Sequence, residues 1–241
     1  MTGVADYIDG DPASGLLLVA DHASNHVPED IDLGIDPALL HEHIAVDIGI
    51  DALARDVAGR VVCPPILARV SPLVVHLHPR PEEPAPIPAI SDGHAIPGNA
   101  ELDHEARLQR IRRFWEPYHT LIDGKVEAPR PKMLFTLHSF TPRLRTKPEE
   151  ERPWHVGILY NNDDRAARLA VDALRREGVP TGDNEPYSGK VLNATMDRHA
   201  ETRGLPYLAI EVRQDLVLDD EGVRHWAGLL APIVAEVRDA L

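Results

Sequence analysis

The chain has 241 residues, 43% of them hydrophobic, enough to bury one substantial core, and a single domain over 1–241 is expected. A formal net charge of -14 argues against nucleic acid as a partner, because binding to phosphate backbones depends on neutralising them with Lys and Arg. The one cysteine, Cys63, excludes an internal disulfide and any cysteine-based zinc site, so a metal would rest on His and carboxylate ligands.

Met1 to Gly15 has neither a basic start nor an apolar run, and no later segment approaches the ~18 uninterrupted apolar residues of a membrane span. A soluble cytoplasmic protein without a membrane partner is expected. The first strand is Leu16 to Ala20, which runs into Asp21-His-Ala-Ser-Asn-His-Val-Pro28. Asp47 to Gly59 has helical period, with Ile48, Leu53 and Val57 near one face. Val61 to Leu67 and Leu73 to Leu77 read as further strands, the first burying Cys63. Pro79 to Pro88 must be an extended loop, since proline offers no N–H to a ladder. Leu102 to Val126 reads as a helix presenting Leu108, Ile111, Trp115, Leu121 and Ile122.

Met133 to Leu137 is a buried strand driven straight into His138-Ser-Phe-Thr-Pro142, and Val156 to Tyr160 is another. Asp163-Asp164 sit where an N-cap is favoured for a helix ending at Gly178, with Leu169, Val171 and Leu174 as its apolar positions. Tyr207 to Val212 is a strand carrying Glu211 inside an apolar run, and a helix from about Glu221 to Leu241 closes the chain. The strand runs are continuous rather than alternating, as expected where both faces are covered. Strands alternating with helices imply an α/β fold with a largely parallel sheet, whose ligands bind outside the carboxyl ends of the strands. No glycine-rich phosphate loop is present.

His22, His138 and Glu211 all fall at or near that edge. Two neutral imidazoles and a carboxylate gathered from distant segments are what a hydrolytic zinc site requires. For His22 the plainer alternative is turn capping. Asp47 follows His43 by four residues, so on a helix the two would share a face, and Asp47 could complete a two-His, one-carboxylate site or simply cap the helix. An ionised Glu211 is costly to bury unless paired. Arg213 points the same way on a strand, giving either a base beside a cationic clamp or a structural ion pair. Arg69, Arg80 and Arg143 lie in loops where guanidinium groups could hold a substrate carboxylate. A Ser/His/Asp site is not supported: Gly-x-Ser-x-Gly is absent, and Ser139 would face away from His138. Nor does Glu211 have a carboxylate partner of the glycosidase kind.

Taken in order, Asp21-His-Ala-Ser-Asn-His-Val-Pro28, His43-Ile-Ala-Val-Asp-Ile-Gly49, Ser91-Asp-Gly93, Ile96-Pro-Gly-Asn99, Trp115-Glu-Pro-Tyr-His119, Leu137-His-Ser-Phe-Thr-Pro142, Arg152-Pro-Trp-His155, Asp183-Asn-Glu-Pro-Tyr-Ser188 and Ile210-Glu-Val-Arg-Gln-Asp-Leu216 resemble the N-formylglutamate amidohydrolase family. The resemblance spans about residues 16–235. It implies a three-layer α/β/α fold with a mostly parallel mixed sheet, similar to the zinc carboxypeptidases. It also implies hydrolysis of a small-molecule N-formyl or N-acyl amino acid, such as N-formylglutamate, to formate and the free amino acid, in histidine degradation. Carried over by motif, His22 and His138 match the metal histidines and Glu211 matches the general base. Asp47 is the third ligand with Asn25 as its competitor, and Arg213, Arg143 and Asn99 are substrate contacts. Zinc is the expected ion, while Fe, Co, Ni and Mn also suit such ligands.

One segment departs from the pattern. Relatives read Ser-Arg-Leu-Val-Ile-Asp-x-Asn-Arg-Pro where this chain has Ser71-Pro-Leu-Val-Val-His-Leu-His-Pro-Arg-Pro81. Loss of a guanidinium from a dicarboxylate site could cost about 2 to 5 kcal/mol of recognition. The alternatives are therefore the same zinc site acting on another N-acyl amino acid or a small peptide, and a metal-free, non-catalytic ligand-binding relative.

Overall fold

A computed structural model describes residues 3–78 and 86–241 of the chain. Arg80 and most of the proline-rich Pro79–Pro88 stretch lie outside the described residues. The seven-stranded sheet takes β1 (Ala5–Tyr7), β2 (Leu16–Ala20) and β3 (Pro65–Ala68) from the first third of the chain. A separate small hairpin follows, β4 (Ile90–Ser91) with β5 (His94–Ala95). The main sheet is completed by β6 (Met133–Phe140), β7 (Val156–Leu159), β8 (Thr181–Asp183) and β9 (Tyr207–Arg213), in the order β1-β3-β2-β6-β9-β7-β8. β3, β2, β6 and β9 run parallel, as do β7 and β8, whereas β1 on β3 and β7 on β9 are antiparallel. The expected mostly parallel, mixed sheet is the one observed.

Helices cover both faces. Leu18, Phe135, Leu137 and Ile210 pack beneath α1 (Ile50–Val61), α5 (Arg165–Arg176) and α7 (Asp220–Ala240). Residues of opposite parity, Leu17, Val19, Leu134 and Ala209, pack with Tyr118 and Ile122 of α4 (Glu116–Glu127) and Met196 of α6 (Ala194–His199). Period-two alternation along each strand therefore divides the core into the two outer layers of an α/β/α sandwich. Among the described residues no helix is long and apolar enough to cross a membrane.

Several local expectations change. The apolar run Leu73–Leu77 is buried but not a strand: the N–H groups of Val74 and Val75 turn back to Ser71 O, and the Ser71 hydroxyl is tied to Ala45 O. Burial, the property the pattern detects, is satisfied there without a ladder. α1 continues to Val61, and Val62 ends it in the left-handed region at φ 55° before Pro64 and Pro65 restart the chain as β3. Cys63 thus follows a helix, where burial pushes its thiol up to about 12. The long helix expected over 102–126 is divided into α3 (His104–Arg110), a π-helical turn Ile111–Trp115, and α4. Pro117 supplies no N–H at this point, and the wide turn accommodates the missing bond. The Asp164 side chain does not cap α5 but accepts from Arg168 Nε at 3.1 Å, and Asp163 accepts from Arg165 N at 3.2 Å. His43 and Asp47 share no helix face, because α1 starts later, at Ile50.

Candidate metal centre

β2 is buried along its whole length, and Asp21 and His22 are the first residues beyond its carboxyl end. Its parallel neighbour β6 carries His138 inside the strand. The register of β6 with β9, from Leu134–Tyr207 to Phe140–Arg213, sets His138 directly beside Glu211. Residues paired in register share a face of the sheet, so their side chains leave it together.

Asp47 arrives from the loop before α1. Gly49 turns that loop at φ 81°, and a Cβ there would meet Val217 O at 2.2 Å, so the turn demands glycine. The Asp47 N–H donates to His22 O at 3.0 Å, tying the two loops together. Its Oδ2 lies 2.8 Å from His138 Nδ1 and 3.3 Å from His22 Nδ1, and accepts from Ser139 N at 3.3 Å. One ligand atom from each of His22, Asp47 and His138 lies within 4.8 Å of the others. That donor set and spacing suit a zinc-type cation.

These groups line a cavity of about 540 Å³ together with His76, His78 and Glu211. The ring centroid of His22 is 4.5 Å from that of His76 and 4.9 Å from that of His138, and His78 is 5.8 Å from His138. His22 Nε2, His76 Nδ1 and His138 Nε2 are buried without a hydrogen-bond partner. Unpaired buried nitrogens are expensive, and those of His22 and His76 mark a place that a ligand completes, whereas His138 Nε2 faces Asp21 Oδ2 at 3.7 Å.

The electrostatics favour a positive charge here. Burial would raise both Asp21 and Asp47, yet the neighbouring histidines hold each below its usual carboxylate range. Burial would lower His138, but the two aspartates carry it well above its ordinary value. Glu211 behaves oppositely: burial, with Asp47 adding, pushes it up to about 8 against the pull of His138 and Arg152. Burial, with His22 and His78 adding, pulls His76 well below the usual imidazole value.

The structure brings together His22, Asp47, His138 and Glu211, and places the remaining candidates elsewhere. Arg213 shares a parity with Glu211, but its guanidinium turns to Asp215, at 2.7 and 3.2 Å. Arg143 is exposed and outside the described lining. Asn99 is fully buried, donating to Leu73 O and Pro88 O and accepting from Arg110, so its amide is spent on holding loops. Asn25 donates to Leu40 O, His43 meets Asp92, and Arg69 pairs with Asp6.

Sequence reasoning missed Arg152 and Asp21. Arg152 is 5% exposed, its guanidinium stacked over the Tyr187 ring and donating to the Tyr187 hydroxyl at 2.9 Å, with Tyr187 lining the cavity. The Arg152-Pro-Trp-His155 motif was the available signal. Nothing local marked Asp21, whose partners come from four separate segments.

No curated protein matches the sequence. The solved structure of gene product Atu2144 from Agrobacterium tumefaciens is similar, with a TM-score of 0.90 at 28% identity, over 98% of this chain and 95% of that one. N-formylglutamate amidohydrolase from Ralstonia eutropha JMP134 has a TM-score of 0.70 at 18% identity, over 99% and 98%. A bacteriophage poly-gamma-glutamate hydrolase has a TM-score of 0.50 at 10% identity, over 99% and 91%. The N-formylglutamate amidohydrolase family matches residues 14–218, and with that span covering most of the chain, the protein belongs to this family.

Proposed function

We propose that the protein is a metal-dependent amidohydrolase that cleaves an N-formyl or N-acyl amino acid to formate, or another acid, and the free amino acid. The observation that carries this reading is the placement of Glu211 in register with His138, on the wall that also presents His22 and Asp47. His22, His138 and Asp47 are the residues that would hold the ion. A zinc-type cation, when bound, polarises the amide carbonyl and acidifies water.

Glu211 accepts a proton from the attacking water and returns it to the departing amine, so that one water is consumed and the C–N bond becomes a carboxylic acid and an amine. Burial raises the Glu211 carboxyl above its usual range, which suits it to holding that proton between the two transfers. Arg152, acting with the Tyr187 hydroxyl, supplies the positive field beside Glu211. We assign to this pair the anion-orienting role that the motifs gave to Arg143 and Arg213.

The test is to measure zinc in protein never exposed to chelator, then formate release by wild type and Glu211→Gln. The variant is expected to keep its zinc and lose about 10²- to 10⁴-fold in kcat. Full activity would remove Glu211 from the role. A wild type that contains no transition metal and takes none up would favour the non-catalytic relative. A second reading, another N-acyl amino acid or a small peptide as substrate, is favoured by His76 and His78 standing on the cavity wall. A panel of N-acyl substrates separates it from N-formylglutamate hydrolysis.

A further inference from the structure

We propose that Asp21 is a positioning residue of the centre: its carboxylate takes the Nε2–H of His138 and thereby presents the Nδ1 lone pair to the cation. The inference rests on the metal-dependent reading above. Among the described residues two sets of side chains have a cation's spacing, His22/Asp47/His138 and Asp21/His78/His138, and they share His138. A neutral imidazole has one lone pair and one N–H. His138 turns Nδ1 to Asp47 Oδ2 at 2.8 Å and Nε2 towards Asp21 Oδ2 at 3.7 Å. Whichever nitrogen ligates, the other must donate, so the two sets exclude each other.

The surroundings decide between them. Asp47 lines the cavity, where substrate and water can approach. Asp21 is 1% exposed and lies behind that lining. The Tyr118 hydroxyl donates to Asp21 Oδ1 at 2.7 Å and the Thr195 hydroxyl to Oδ2 at 2.8 Å, with His78 Nδ1 3.2 Å from Oδ2. A carboxylate already loaded by donors from α4, α6 and the Ser71–His78 segment is held as a fixed acceptor, with no open position beside it for a reacting molecule. A histidine that binds metal through one nitrogen commonly gives the other N–H to such a carboxylate, which fixes ring and tautomer. Asp21 immediately precedes His22, so the turn that delivers one ligand also orients the other.

Zinc dissociation constants, measured by competition with a chromophoric chelator, test this in wild type, Asp21→Asn and Thr195→Val. Asp21→Asn should weaken zinc binding by about 10- to 100-fold, whereas Thr195→Val, which removes a hydroxyl from the same network, should lower the Tm and shift the constant less than about threefold. Wild-type affinity in folded Asp21→Asn overturns the proposal. So does a wild type holding two zinc ions of which Asp21→Asn loses one, because Asp21 would then be a ligand. A wild type that binds no zinc sinks the metal reading instead. Should Asp21→Asn not fold, ¹⁵N spectra of zinc-loaded wild type decide the matter: the His138 proton belongs on Nε2, and a proton on Nδ1 overturns the assignment.

Discussion

The cavity histidines and the buried pair His119–His199 put the same side chain to opposite uses. His119 of α4 and His199 of α6 stack with centroids 5.0 Å apart and are almost wholly buried. His119 Nδ1 lies 2.7 Å from His199 Nε2, His119 Nε2 lies 2.9 Å from Leu77 O, and His199 Nδ1 lies 2.9 Å from Asp123 Oδ1. Every ring nitrogen of this pair is occupied, and the chain of bonds links both helices to the segment after β3. In the cavity, His138 is likewise buried, but its Nε2 and the Nδ1 of the half-buried His76 are left over. Depth of burial therefore does not separate a structural histidine from a functional one in this fold. The unspent nitrogen does.

The sharpest way to break that contrast is to remove a cavity ring. His22→Ala or His138→Ala should fold and yet retain less than about a tenth of the wild-type zinc after purification, because two protein ligands do not hold the ion against buffer. Elemental analysis checks this, and stoichiometric zinc in either variant would end the distinction. The converse substitution, His199→Ala, should keep full zinc while losing about 2 to 3 kcal/mol of stability, since it strands partners at His119 and Asp123. Urea unfolding read beside metal content decides it, and a variant that lost zinc at unchanged stability would show the two clusters to be one.

The smallest effect belongs to the cavity rim, where Asp92 meets His43 Nε2 at 3.1 Å and accepts from Arg145 N and from Thr146 N and Oγ1. Burial would raise its pKa, but these donors lower it to about 2. A carboxylate depressed in the folded state stabilises above its unfolded value, near pH 4, and that contribution is lost as the pH falls towards 2. Asp92→Asn should accordingly be about 2 kcal/mol less stable than wild type at pH 7, with the gap closing by about pH 2. A gap that persists in acid would exclude the ionised carboxylate as its source.

Much of this centre could be read from the chain because it breaks a pattern. His138 and Glu211 interrupt apolar strands, and His22 follows one, so each stood out against its neighbours. What pairs with what could not be read. The His43–Asp47 spacing fitted a helix that begins only after Gly49. Arg213 had the correct strand parity, yet the 3-10 turn Gln214–Leu216 brings Asp215 within reach of its guanidinium. The motif makes Asn99 a substrate contact, and no sequence pattern reveals that its amide is committed to two distant carbonyls. The fold was legible for the same reason in reverse: five of the seven main strands fall on apolar runs whose burial marks them, while β1 and β8, three residues each, are too short for any pattern to register.

The in-line pairing of β6 with β9 has a consequence for how such an enzyme can diversify. The lateral offset between Glu211 and His138 is dictated by rungs of main-chain bonding, and a slip of one residue would throw Glu211 to the opposite side of the sheet. The proposed centre thereby rests on a strand ladder, while His76 and His78 sit on an irregular stretch that ladder geometry does not constrain. On the proposed reading, changes at His76 and His78 reshape the cavity wall while Glu211 stays in register with His138.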